Sequence, residues 1–506
     1  MAAPDISPPE EHKLKRQLGL GDLVLTQILC VVGSSWVGVA AGLGRAETIT
    51  WVAAMLLFYL PMAGSVIALN RAMPLEGGLY VWAREAFGDL GGFLTAWNIG
   101  AYGIAVTASI LYAIPTELAY LIGPRAARLP ENHAASFAVV ALAIVAVTLA
   151  TLRGLEWGKW VHNIGGAAML AVFAALIFLP TLYLVRHQPV NWTPFTVALP
   201  PADMRTMALF GQMLFGALCG LEYVAILAGE SRQPARAIGR SVWIASPVIC
   251  AMFILGTGSV VALVPQGKID FIAPIPQTMR MALGNAGWGN LVAMTAIVLV
   301  EFRLLGAASF LFTGVSRLPM TAGWDHLAPK WFTRIHPRWG TPANSILFAG
   351  ALMLAMVVLA MWGVHRQETY QVLTGASLTH YEVSYLAMFA VPLAGRAALR
   401  KKMPLWLKCS SAVGFASTCF ALLISAYPFV SVVNAGAYAA KILGTIVVSN
   451  VVALGFYFVR TRAAGREQRT GNREQATGNR QQATGNREQQ QGTGLSIKNE
   501  RLCIPT

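Results

Sequence analysis

The chain has 506 residues, 56% of them hydrophobic and only 12% charged, with a mean hydropathy of +0.56. So few charges cannot solvate the surface of a soluble globule this long, which points to a protein that crosses the membrane many times. The formal net charge of +15 does not mark a nucleic-acid binder, because Lys and Arg are spread through short loops and the C-terminal tail rather than interleaved with aromatics on one face.

Crossing about 30 Å of hydrocarbon takes roughly 20 apolar residues. In chain order, spans are expected near 20–43, 49–70, 90–113, 134–152, 160–185, 206–229, 241–264, 287–313, 343–364, 369–393, 408–428 and 436–459. The first apolar run follows a polar segment, residues 1–17, and is too long for a cleaved signal peptide. With the N-terminus inside, the cytoplasmic loops before the tail hold nineteen Lys and Arg and the opposite side nine, which places both termini in the cytoplasm. Beyond Arg460 the composition turns to Gly, Asn, Arg, Gln and Thr. GNREQAT, GNRQQAT and GNREQQQ repeat every seven residues over 471–491, with no apolar seam for a coiled coil to bury, so 461–506 reads as a disordered cytoplasmic tail. Six cysteines show no paired spacing, and neither a disulfide framework nor a zinc site follows.

Three loop motifs stand in order. PLEGGLYVWAREAFG runs from Pro74 to Gly88, GESRQPARAIGRS from Gly229 to Ser241, and SRLPMTAGWDHLAP from Ser316 to Pro329, the last followed by GTPAN at Gly340–Asn344. Together they resemble the amino acid, polyamine and organocation (APC) transporter superfamily, in its bacterial amino acid permease form. Gln233 and Gly239 stand where the family more usually has Asn and Pro. The resemblance implies an all-α integral membrane protein of about twelve helices in a LeuT-like fold. Two inverted five-helix repeats would form a core over 18–400, with two extra helices over 401–460. It implies that the first helix of each repeat is unwound at mid-membrane where substrate binds.

Both candidate breaks are present: Gly33, Ser34 and Ser35 in span one, and Gly216, Ala217, Leu218, Cys219 and Gly220 in span six. Glycine costs about 1 kcal/mol in a helix interior, and unwound backbone in a membrane needs a cavity or ligand to satisfy it. A half-helix N-terminus suits a carboxylate, so Gly33, Ser34 and Ser35 are expected to hold one. A C-terminal end suits an ammonium, which assigns the Gly216–Gly220 backbone to that group or to the side chain. Small residues that merely let helices pack closely are the plainer reading of both stretches.

Ionisable residues inside apolar spans are functional candidates. Glu222 follows Gly220 by two positions and is expected to change protonation during transport. Glu301 and Arg303 lie two residues apart, about 200° around a helix, and so cannot pair locally. By the resemblance, Arg303 would supply the fixed charge that replaces a bound sodium ion, with Glu301 or Glu382 as its counter-charge; a structural Arg–carboxylate pair is the alternative. His380 reads as a hydrogen-bonded core residue, and Tyr102, Phe215 and Tyr223 as candidate gates. Some relatives carry a tryptophan gate a few residues before the span-six carboxylate, a region where this chain has Gly216.

The expectation is a sodium-independent secondary transporter of the cytoplasmic (inner) membrane. It would move an amino acid or related amine by proton symport or exchange, with no cofactor, metal or nucleic-acid partner and no disulfide-linked accessory subunit. Three acidic groups near the core tilt the reading toward cationic substrates or polyamines. A transport-inactive amino-acid sensor on the same fold is the alternative. A membrane enzyme is disfavoured, because the eight histidines lack metal-ligand spacing and there is no phosphate loop or nucleophile elbow.

Overall fold

The computed structural model describes residues 19–73, 78–153, 158–186, 190, 198–222, 234–321, 330–400 and 403–462. The chain divides into two compact units, Met1–Val451 and Val452–Thr506; of the second, the described residues 452–462 are helical. Among the described residues there is no strand.

The longer helices are α1 (Leu20–Val31), α2 (Ser34–Ala41), α3 (Gly44–Ala72), α4 (Leu79–Phe87), α5 (Asp89–Tyr112), α6 (Ile114–Ile122), α7 (His133–Arg153) and α8 (Gly158–Val185). They continue with α9 (Met204–Gln212), α10 (Pro234–Leu263), α11 (Pro274–Leu283), α12 (Gly287–Thr321), α13 (Ala343–Met361), α14 (Arg366–Ala394), α15 (Leu405–Ile424) and α16 (Ala435–Arg462). Nine helical stretches among the described residues are long and apolar enough to cross a membrane, ten if α1 and α2, bent by 48° at their junction, count as one. Expected spans six and ten are the two that fall short. The first is interrupted after α9. The second, α14, has the length but carries Arg366, Glu368, His380 and Glu382. The third span also differs from expectation: instead of ending near 113 it runs on through α6 to Ile122, because Pro115 sits in the first turn of α6, where its missing N–H is harmless.

Polar backbone exposed by irregular turns is met by neighbouring helices. A π turn at Met55–Tyr59 precedes Pro61, which cannot donate to the carbonyl of Leu57; Ser417 Oγ of α15 donates to it instead at 2.9 Å. Trp51 stacks on Phe253 of α10 and donates from Nε1 to Thr257 Oγ1 at 3.0 Å. In the loop before α9, Asp203 caps the helix through the Thr206 N–H (2.8 Å), and that bond and the Thr206 hydroxyl hold its carboxyl below the usual range. In the core, α5 lies along α14, α1 packs against α8 and α10, and α12 packs against α5 and α8. The α1–α2 junction and the end of α9 therefore meet α12 and α14 in the interior.

Candidate functional site

The break in the first helix falls at Val32 and Gly33, both in extended conformation, so Ser34 and Ser35 occupy the first turn of α2. At the end of α1 the carbonyl of Leu29 loses its helical donor, which would have been the N–H of Gly33. Arg303 Nη2 of α12 takes that place at 3.0 Å, with the side chain buried. A guanidinium thus faces the negative end of one half-helix while the positive end of the next begins four residues on.

The second break follows α9, which ends in a π turn at Met213–Ala217, after which the helix stops at Leu218. Gly220 has φ +105, a conformation that suits only glycine. Glu222 is 1% exposed, and its Oε2 accepts from the Gly220 N–H (3.2 Å) and from the Tyr385 hydroxyl of α14. The Gly220 N–H also lies 3.0 Å from the Tyr385 hydroxyl, and Glu222 Oε1 has no partner among the described residues. Carboxylate, phenol and unwound amide therefore form one knot between the second break and α14.

Between the two breaks lies a cavity of about 80 Å³. Of the residues expected from the sequence, Gly33, Ser34, Ser35, Gly216, Cys219, Arg303 and Tyr102 line it. Hydroxyls from α5 and α14 complete its polar wall: Ser109 Oγ and Thr374 Oγ1 are 2.7 Å apart, and Ser377 and Tyr370 stand beside them. Tyr102 stacks flat on Tyr381 with ring centroids 3.8 Å apart.

The remaining expected residues lie elsewhere. Ala217 and Leu218 are buried in the apolar core, and Phe215 packs among Phe58, Tyr381 and Tyr385. Gly220, Glu222, Glu301 and Glu382 do not line the cavity. Neither Glu301 nor Glu382 forms an ion pair with Arg303 among the described residues, and each keeps one oxygen without a partner, so the counter-charge expected for Arg303 is not found there. Tyr223 lies outside the described residues, as do residues 229–233 of the second motif and the greater part of the third; residues 234–241 of the second motif form the first turns of α10. Arg303 is the only charged side chain in the described cavity wall, which removes the basis for the tilt toward cationic substrates.

Among the charged groups, two features escaped the sequence reading. Glu117 of α6 is fully buried with both oxygens unpartnered among the described residues, and it is close enough to Glu301, Arg303 and Asp270 to interact electrostatically. The run IPTELAYLIG, apolar but for one charge, was the available signal. The second is an outer cavity of about 320 Å³. In its wall Arg366 pairs with Asp270 (3.2 Å) and Glu131 (2.9 Å), Tyr120 donates to Asp270 (3.2 Å), and Arg280 donates to the carbonyls of Tyr120 and Leu121.

An amino acid permease family model matches residues 21–453. An uncharacterized transporter of Legionella pneumophila is 25% identical over 75% of this chain and 81% of its own length. The branched-chain amino acid permease BcaP of Bacillus subtilis is 24% identical over 68% of this chain and 74% of its own. The methylthioribose transporter of the same organism is 23% identical, over 78% and 83%.

Proposed function

Because the chain belongs to the amino acid permease family, we propose that it is a secondary active transporter that carries an amino acid across the cytoplasmic membrane by alternating access around the cavity between the two breaks. The observation that carries this reading is the junction itself: a cavity facing the start of α2, walled by hydroxyls, with one buried guanidinium holding the open end of α1. The free N–H groups and positive dipole of the α2 start suit the substrate carboxylate, and Ser34 and Ser35 stand there to bond it. Arg303 occupies the exposed Leu29 carbonyl with a permanent cation, so transport needs no sodium.

In the same reading the helices form two inverted five-helix repeats over 18–400 with two further helices over 401–460, and both termini are cytoplasmic, as the loop charges favour. Glu222 carries the coupling proton. Ionised, it accepts from Gly220 and Tyr385; protonated, it gives up part of that hold on the second break.

The test is uptake of labelled amino acids into proteoliposomes with an imposed pH gradient, with and without sodium. Gradient-driven, sodium-indifferent uptake is expected. Uptake that requires sodium would overturn the role of Arg303, and uptake only into preloaded vesicles would replace symport with exchange.

A further inference from the structure

We infer that Trp36, whose indole bridges the two helix breaks, sets the size of substrate that the central cavity admits and restricts it to amino acids with small side chains that carry no positive charge. This rests on the permease reading above and deepens it.

The glycines at the breaks differ in what they are for. Gly220, at φ +105, is required by the backbone, and a Cβ there would meet nothing closer than 3.7 Å. Gly33 is the reverse case: its φ of −93 and ψ of 136 are open to any residue, but a Cβ would lie 2.6 Å from Trp36 Cδ1 and 2.8 Å from Nε1. Gly216 sits in the π turn with no positive φ, and a Cβ there would collide with Trp36 Cη2 and lie 2.8 Å from both Trp36 Cζ2 and Leu378 Cδ1. The five-membered edge of one indole therefore rests on the first break and its six-membered edge on the second. Both glycines are space made for that ring, which holds the two broken helices at a fixed spacing.

The ring is also a wall of the cavity. With it in place the volume is about 80 Å³, far below the roughly 300–1,000 Å³ of pockets for drug-sized ligands. The apolar part of the wall is completed by Ile272, Phe310, Leu311 and Leu378, and no carboxylate is present among the described lining residues to neutralise a cationic side chain. A filled apolar pocket discriminates by about tenfold or more per added methylene, so a substrate that must fit beside the indole is held to a short side chain.

The experiment uses the full chain in proteoliposomes, with uptake of a labelled small neutral amino acid competed by glycine, alanine, leucine, phenylalanine and lysine. The parent is expected to prefer glycine or alanine. Trp36→Ala should raise the effectiveness of leucine and phenylalanine relative to alanine by about tenfold, and Trp36→Phe by less. Gly216→Ala should lose most uptake and lower the thermal midpoint, and adding Trp36→Ala should recover part of both, because the closest clash is with the ring and the other is with the flexible end of Leu378. An unchanged order of preference in an active Trp36→Ala or Trp36→Phe protein would overturn the size claim alone. So would a double variant no better than Gly216→Ala in either readout. A parent that prefers lysine would also overturn it, whereas a folded parent that moves none of the panel would bring down the permease reading itself.

Discussion

The outer cavity and the central one treat charge in opposite ways. Outside, opposite charges answer one another: Arg366 reaches both Asp270 and Glu131, and the remaining oxygen of Asp270 takes the backbone N–H of Ile272 at 3.0 Å. At the centre no ion pair forms among the described residues; Arg303 is met by a carbonyl, and Glu222 by an amide and a phenol. A set of charges that neutralises itself is closed to a charged visitor until it is broken. Charges whose hydrogen bonds go to dipoles alone remain able to respond to one.

Breaking the central arrangement should have the largest consequence. Arg303→Met leaves the Leu29 carbonyl bare beside the substrate position, and uptake should fall by at least about tenfold, in line with the ~1.5–3 kcal/mol of a charged hydrogen bond; Arg303→Lys should keep part of it. Initial rates at saturating substrate would show this. Next comes Glu222→Gln, which keeps the shape of the Tyr385 knot but cannot titrate: the rate should drop a few-fold and its dependence on pH should flatten, and an unaltered pH profile would remove Glu222 from coupling. At the outer cavity, Arg366→Ala should act on access rather than binding. In a variant whose only cysteine is Cys30, which lines the central cavity, labelling by an impermeant thiol reagent should speed up about fivefold, the equivalent of ~1 kcal/mol for the half-exposed Arg366–Glu131 pair. The smallest effect belongs to a bond that lines neither cavity. Ser417→Ala, which orphans the Leu57 carbonyl, should cost about 0.6 kcal/mol of stability and leave uptake unchanged.

The sequence made the two breaks legible because glycine and serine in an apolar run are costly unless used, and both breaks lie where they were expected. What it could not supply is direction. The helical period phases side chains only while the helix lasts, so Glu222, two residues beyond Gly220, could not be aimed in advance; the turn at Leu221 and Glu222 sends it to Tyr385 and away from the cavity. Trp36 was invisible for another reason. A tryptophan in a membrane helix reads as ordinary packing, and only three-dimensional proximity to Gly33 and Gly216 distinguishes it. Glu117 was hidden by Pro115, which made a continuing helix look like the start of a loop.

The contact between α5 and α14 has a mechanical consequence. The Ser384 hydroxyl lies 3.4 Å from the carbonyl of Thr95, Tyr381 lies flat on Tyr102, and Thr374 bonds Ser109, so the two helices are joined at three levels over about 21 Å of rise on α5 and about 15 Å on α14. Asn98 and Asn450 exchange amide hydrogen bonds at 2.8 and 3.1 Å, which adds a fourth brace from another helix. A beam braced at that many heights cannot shear without breaking several bonds in a medium that offers no replacements. It is the fixed ruler of the molecule: spin labels placed on its two helices should keep their separation whatever α1, α2 and α9 do beside it.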